Sequence, residues 1–331
     1  MLLKKLSKAR GVSGDEKEVR DIIRAETRPY ADTSWTDHIG NLYVQQDGKG
    51  PRICLLAHMD EVGLMITGKD KEGLYHFDVV GGMRDEVLPS AQVKIGPHGI
   101  GGVVGISPFH LQKGDARNAP VKREQLRIDT GDDKTGSVEI GQTASFATRF
   151  RQRGRLAFGK AFDDRLGCLC MIEALKQSLG AQLTCVFTVQ EEVGLRGSLA
   201  AAEHLECDVA IACEGTFSVD LPGTPAEERM PVMGSGPTLT ISDRTAISDR
   251  TLLRAIESAA HEGDIPYQYK RPMAGGTDIG ALMVKGKGVP SCVIAVPCRY
   301  IHAPCSMADT DDIKNTGKLV CESVRRIMEE Y

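Results

Sequence analysis

Tryptophan is almost missing from this chain: Trp35 is the only one in 331 residues. Sugar clefts usually need aromatic stacking surfaces, and Trp35 stands far upstream of every polar motif, so a carbohydrate-cleaving activity has little support. No apolar stretch is long enough to span a membrane, and Met1-Leu2-Leu3-Lys4-Lys5-Leu6 lacks the apolar core of a signal peptide. Neither sign of charge dominates. The formal net charge is −4 and the pI is near 6.1, and the densest basic run, Arg149 to Arg155, is short, so nothing argues for a nucleic-acid partner. Ten cysteines are present, yet none forms a C-x-x-C pair, and Cys54, Cys185, Cys213 and Cys292 fall inside apolar runs. This points to reduced cysteines used as small core residues in a cytoplasmic protein, rather than to disulfides or a thiolate metal cage.

What the chain does have is a set of apolar runs that end in metal-type residues. Leu183 to Val189 delivers Glu191-Glu192 onto a Val193-Gly194 turn. Ile53 to Ala57 delivers His58 and Asp60, Val209 to Cys213 delivers Glu214, and Ser291 to Val296 leads after a short turn to His302. Runs of this length read as strands buried on both faces. In an open parallel sheet the ligand crevice lies outside the carboxyl ends of the strands, so these residues describe one site.

The length suggests two domains. Ser13-Gly14-Asp15-Glu16 reads as a capping box opening a helix with Val19, Ile22 and Ile23 inward. Asp163 to Leu179, Thr251 to His261 (capped by Asp249) and Asp311 to Met328 carry apolar residues at helical spacing. With the strands they predict an α/β layered domain, a largely parallel sheet flanked by helices. The stretch 67–150 differs. It is rich in glycine, from Gly81-Gly82 through Gly114 and Gly136 to Gly141, with short alternating segments such as Gln92-Val93-Lys94-Ile95. It predicts a small all-β domain inserted into a discontinuous catalytic domain, 1–66 and 151–331. The loop Gly215 to Gly236 is rich in glycine and proline and is expected to be a mobile wall or lid of the site.

Each motif has an ordinary explanation when taken alone. A histidine after an apolar strand is usually a core or surface residue, and Asp163-Asp164 at a helix start is simply favourable for capping and for the helix dipole. Glu191-Glu192 fits a solvated turn. Side chains alternate along a strand, however, so His58 and Asp60 share a side, where one can bind metal and the other orient it. Two buried adjacent carboxylates would repel each other unless a cation compensates. Jointly, two histidines and several carboxylates form an N/O donor set suited to zinc, cobalt or manganese, with enough carboxylates to share two ions. Neighbouring Glu191 and Glu192 point in different directions, so one can hold metal while the other serves as a base toward water.

The motifs His58-Met59-Asp60-Glu61-Val62-Gly63, Phe162-Asp163-Asp164-Arg165, Gln190-Glu191-Glu192-Val193-Gly194 and Tyr300-Ile301-His302 resemble those of the dinuclear-metal aminopeptidases that assemble as tetrahedral dodecamers. These are the glutamyl and deblocking aminopeptidases, some of which carry an endoglucanase or cellulase M label. The resemblance spans essentially the whole chain, including Leu88-Pro89 and Gly275-Gly276-Thr277-Asp278. It implies that Asp163 bridges two metal ions, that His58 and Glu214 complete one and Glu192 and His302 the other, that Glu191 is the general base, and that Asp60 orients His58. It also implies two divalent ions per subunit, zinc first with cobalt or manganese as alternatives, peptide substrates, and a homo-oligomer, a dodecamer built from dimers through the small β domain. Glu214 departs from the commoner aspartate at its position. The residues by themselves leave a dinuclear carboxypeptidase or a deacylase of small amidated metabolites open, with a non-catalytic scaffold as the different-class alternative. The substrate-binding residues are not identifiable from the sequence.

Overall fold

The computed structural model describes residues 1–111, 119–131, 138–271 and 273–330; Gly114 and Gly136 lie outside them. A mixed sheet holds 11 strands among the described residues, and four at its centre are mutually parallel. Their order is Ala181–Thr188, Lys49–His58, Val209–Phe217, Ser291–Arg299. Each had been legible as an apolar run, and the reason for its continuity is visible in the packing. Ile53, Leu55 and Ala57 enter one core while the alternate residues Cys54 and Leu56 enter another. Val209, Ile211 and Cys213 likewise join the first core, and Ala210 and Ala212 the second. A strand with two buried faces has no position to spend on a charge until it ends or one face opens on a crevice.

Helices cover both faces. Leu3, Val19, Ile23, Ile172, Val320 and Val324 bring helices Leu2–Lys8, Lys17–Thr27, Phe162–Lys176 and Thr310–Glu330 to the larger core. Ala201, Ile279 and Leu282 bring the short helices Arg196–Ala202 and Ile279–Met283 to the other. Asp249 caps helix Arg250–Glu262 as expected, accepting from the amides of Thr251 and Leu252. The expected capping box at Ser13 does not form. Helix Lys17–Thr27 starts after Glu16 with no side-chain cap, because the Ser13 hydroxyl donates instead to Asp60 at 2.6 Å and Glu16 accepts from the amide of Gly14 at 2.6 Å.

Between Gly63 and Phe146 the chain closes a separate small barrel of six strands among the described residues. Its strands bury one face, the inside of the barrel. In Gln92–Ile95 the polar residues face out and Val93 and Ile95 face in, where they meet Leu64, Ile66, Phe77, Ile128 and Phe146 in a third core. The four-residue turn to the next strand, Ile100–Gly105, carries Gly96 and Gly99 at φ +60 and +62, a conformation that costs glycine little. All ten cysteines are free thiols and most are buried. Among the described residues no helix is long and apolar enough to cross a membrane.

Candidate metal centre

The strand register lines up the site. His58 ends its strand and pairs with Thr188 at the end of the next, after which Val189-Gln190 carries the chain to Glu191 and Glu192. On the other side Ala212 pairs with Leu56, so Glu214, two residues on, stands level with His58. Glu214 does not end its strand, as its charge had suggested; the strand continues to Phe217, paired with Ser291–Arg299 throughout. The charged side chain is tolerated inside the strand because it opens onto the crevice. His302 follows the strand Ser291–Arg299 in a left-handed conformation, φ 55.

Asp163 lies between the two histidines. Its Oδ1 is 3.3 Å from Nε2 of His58 and its Oδ2 is 3.3 Å from Nε2 of His302. His58 Nε2 also has Glu214 Oε2 at 3.9 Å and Glu191 Oε2 at 4.0 Å, while His302 Nε2 has Glu192 Oε2 at 3.6 Å. Every residue singled out in the sequence is therefore within one cluster. Asp164 also offers an oxygen near His58 and Glu214, but its oxygens accept from the amides of Gly167 (2.9 Å) and His58 (3.2 Å). The neighbouring aspartates separate because both have non-helical backbone angles inside helix Phe162–Lys176. Asp164 caps the helix; Asp163 faces the crevice.

Asp60 sits beneath the cluster, fully buried. Its Oδ1 is 3.4 Å from His58 Nδ1, and its carboxylate accepts from the amides of Glu191 (3.0 Å) and Glu192 (3.2 Å) and from Ser13. One carboxylate thus holds both the histidine and the turn that bears the two glutamates. On the barrel side, Nδ1 of His302 is 2.5 Å from the carbonyl oxygen of Gly82. With Asp60 at Nδ1 of His58 and this carbonyl at Nδ1 of His302, Nε2 of each histidine is turned toward Asp163.

The electrostatics are those of an anionic cluster short of cations. Burial pushes the Glu191 carboxyl up to about 9, with Asp278, Glu192 and Asp163 adding to the rise. Burial also pushes Glu192 up to about 7 and Glu214 well above the carboxylate range, the latter with help from Asp164. Burial opposes ionisation of Asp163 too, yet His302 and His58 hold it below its ordinary value. Burial opposes the charged His302 imidazole, but Asp163 and Glu192 raise it to about 10. Glu214 Oε1 is buried without a hydrogen-bond partner. An orphaned carboxylate oxygen, crowded carboxylates and paired imidazoles fit divalent metal ions with N/O preference. Two donor groups are suitable, His58 with Asp164 and Glu214, and Asp163 with Glu192 and His302; Asp163 also stands 3.3 Å from His58.

A cavity of about 560 Å³ opens over these residues. Gly215, Thr216, Phe217, Thr240, Thr245, Lys270 and the Ala274–Thr277 segment form walls of it. Gly276 and Gly280 admit Thr245, which would stand 2.7 and 2.6 Å from any Cβ at those positions. Only the first residues of the expected lid, Gly215 to Phe217, line the cavity, and they are still strand. Beyond them the segment is tied down: Asp220 pairs with Arg299 at 2.7 Å, and Asp312 accepts from the amides of Gly234 and Gly236. Lys270 and Gly82 carried no sequence signal, since both reach the site through tertiary packing alone. Asp278, within a motif already noted, is fully buried and accepts from the Thr188 hydroxyl at the strand end behind Glu191.

The family model for M42 glutamyl aminopeptidases matches residues 40–319. The lysyl aminopeptidase of Pyrococcus furiosus is 30% identical, covering 96% of this chain and 94% of its own. Among solved structures, a TET aminopeptidase from a marine sediment Thaumarchaeota archaeon is 34% identical with a TM-score of 0.93, over 98% of this chain and 95% of its own. The TET1 peptidase of Pyrococcus horikoshii, which can assemble into a tetrahedron or a large octahedral shell, is 31% identical with a TM-score of 0.86, over 97% of each chain.

Proposed function

The chain belongs to the M42 glutamyl aminopeptidase family and is a metallo-aminopeptidase, a peptide-bond hydrolase; on that premise we propose how its residues divide the work. The carboxypeptidase and deacylase alternatives are not favoured by this membership. The observation that carries the proposal is the position of Asp163, 3.3 Å from an imidazole nitrogen on each side. His58, Asp163 and Glu214 would hold one divalent ion, and Asp163, Glu192 and His302 a second, zinc in the first instance with cobalt or manganese as alternatives. When bound, such a pair supplies electrophilic activation of water and of the scissile carbonyl.

The remaining work belongs to side chains. Glu191 is the general base: its carboxylate faces the crevice 4.0 Å from His58 Nε2, takes the proton of the attacking water and returns it to the leaving amine. Asp60 positions His58 and the amides of Glu191 and Glu192, and Gly82 fixes the face of His302 that turns inward. Peptides are the substrates, cut after the first residue. A panel of aminoacyl-fluorogenic amides, assayed with each divalent metal, tests the assignment; hydrolysis confined to substrates with a free α-amine is the expected result.

The small barrel, whose first strand begins at Gly63 rather than at the expected 67, is the dimerisation module inserted into a discontinuous catalytic domain, expected as 1–66 and 151–331 with 67–150 between them. The protein is a homo-oligomer, a dodecamer assembled from dimers, which the tetrahedral assembly of the Pyrococcus horikoshii relative supports. Light scattering gives the mass directly. A monomer at micromolar concentration with full activity would refute it.

A further inference from the structure

Glu191 and Glu192 ride on a loop whose two ends meet. Strand Ala181–Thr188 runs in at one end and helix Arg196–Ala202 leaves at the other. The amide of Gly197 donates to the Val189 carbonyl at 3.0 Å. Asn41 spans the same gap: its Oδ1 accepts from the Val189 amide at 3.0 Å, and its Nδ2 donates to the Gly197 carbonyl at 2.9 Å. Gly197 permits this closure, since a Cβ there would lie 2.4 Å from the Val189 carbonyl oxygen and 2.5 Å from Asn41 Oδ1. The neck is narrow and bonded across. A displacement of Thr188 or Ser198, just outside it on either side, is therefore passed to the loop.

Asp278 reaches that neck from helix Ile279–Met283. It stands at the N-cap, where an aspartate ordinarily accepts from the amides of its own helix, yet it makes no such bond. Its Oδ2 accepts instead from the Thr188 hydroxyl, and the Ser198 hydroxyl lies beside the same carboxylate. Thr188 is the residue opposite His58 in the strand register. Asp278 is fully buried, and among the carboxylates whose charge bears on Glu191 it comes first. That places it close behind the base. Asp60 holds the loop from beneath through the amides of Glu191 and Glu192. Asp278 holds it from the cavity wall, for the residues just before it, Gly275, Gly276 and Thr277, line the cavity.

We propose that Asp278 is a positioning residue for the general base: by tying Thr188 to helix Ile279–Met283 it fixes the foot of the loop and, through it, the aim of the Glu191 carboxylate at the attacking water. The inference rests on the aminopeptidase reading and on Glu191 as its base. Misplacing a reacting group by about 1 Å can cost on the order of 100-fold. The tie should therefore show in turnover and not in substrate binding, because the ground-state contacts of the substrate are left in place.

Steady-state hydrolysis of an aminoacyl coumarin amide tests this, with ion content and melting temperature measured on the same preparations. Asp278→Ala should lower kcat by about 10- to 100-fold, with KM little changed and ion content equal to that of the wild type. Asp278→Asn, whose side-chain oxygen can still accept from Thr188, should recover most of the loss. Thr188→Ser keeps the hydroxyl and should resemble the wild type, while Thr188→Val should resemble Asp278→Ala. The sharpest comparison is made in a Glu191→Gln background, where Asp278→Ala should subtract nothing further if it acts through Glu191. A full additional loss in that background, loss of ions in Asp278→Ala, or an unchanged kcat overturns the proposal. So does a loss in Asp278→Asn as large as in Asp278→Ala. If Asp278→Ala fails to fold, Thr188→Val carries the same comparisons. A wild-type protein that hydrolyses none of the amides would instead strike the aminopeptidase reading, and this inference with it.

Discussion

The carbonyl oxygen of Gly82, on the loop after barrel strand Tyr75–Val80, lies 2.5 Å from Nδ1 of His302 in the large domain. A glycine carbonyl in the small domain thereby orients an imidazole in the metal cluster. The barrel contributes no candidate ligand among the described residues, yet the site is not indifferent to it. The neighbouring Gly81 makes the link testable. It has φ +87, and a Cβ there would lie 2.8 Å from Val62 and 3.2 Å from Glu192.

Gly81→Ala should therefore shift the loop and release His302. Loss of an orienting partner typically costs 10- to 100-fold in metal affinity, and the same range is expected here. Gly82→Ala is the control, because its Cβ would make an ordinary 3.5 Å contact with His302 Nδ1. Elemental analysis after dialysis of both variants gives the result; equal ion content would show that the Gly82 carbonyl has no orienting role.

Glu191→Gln and Glu192→Gln should fail differently. Glu191→Gln is expected to keep its bound ions and lose roughly 10²- to 10⁴-fold in turnover, the usual worth of a general base. Glu192→Gln should lose the ion nearest His302, which lies 3.6 Å from the Glu192 carboxylate. Turnover and ion content measured on the same preparations decide between these roles, and the opposite pattern would exchange them.

A buried ion network stands just behind the site. Glu61 Oε2 accepts from Lys160 at 2.7 Å and Glu61 Oε1 from Arg165 at 3.2 Å, all three side chains being almost fully buried. Lys160→Met removes one partner from a buried charge and should cost about 3–5 kcal/mol in denaturant unfolding, with partial recovery in the Lys160→Met, Glu61→Gln double variant. Burial holds the Lys160 pKa at about 8, below its ordinary 10.5. Between those values the unfolded chain binds the extra proton, so this lysine makes stability rise with pH across that window. The rise should be smaller in Lys160→Met than in the wild type.

Blocking the substrate amine should stop the reaction. One of the two ions is proposed to hold the free α-amine, and misplacing the scissile carbonyl by about 1 Å can cost on the order of 100-fold, so N-acetylated peptides should persist while free peptides shorten one residue at a time. Mass spectrometry of a timed digest reads this out. A ladder from the C-terminus, or internal fragments, would contradict an aminopeptidase mechanism.

Much of this site was legible because the strands that carry it are buried on both faces. Ile53 to Ala57 and Leu183 to Val189 hold no charged residue before the chain leaves the sheet, so His58, Glu191 and Glu192 stand out at their ends. Glu214 misled for the same reason: a charge after five apolar residues looks like a strand end, but one face of that strand opens on the crevice and pairing continues to Phe217. Asp163 and Asp164 are chemically identical in the sequence, and only the non-helical backbone at both sends one to the crevice and the other to the helix amides. Ser13 and Glu16 have the residue types of a capping box, but Asp60 and the Gly14 amide compete successfully for them. Gly82 and Lys270 were unreadable because their roles come from neighbours 220 residues away in the one case and from a cavity wall in the other.

The central claim is that hydrolysis requires a pair of ions held on either side of Asp163. Metal-free protein should be titrated with Zn²⁺ or Co²⁺ while bound ion and peptide hydrolysis are followed on the same samples. The account predicts negligible activity at the start, full activity only as a second ion per chain binds, and loss of both ions and activity in Asp163→Asn. Full activity in wild-type protein shown by elemental analysis to be free of metal would contradict it.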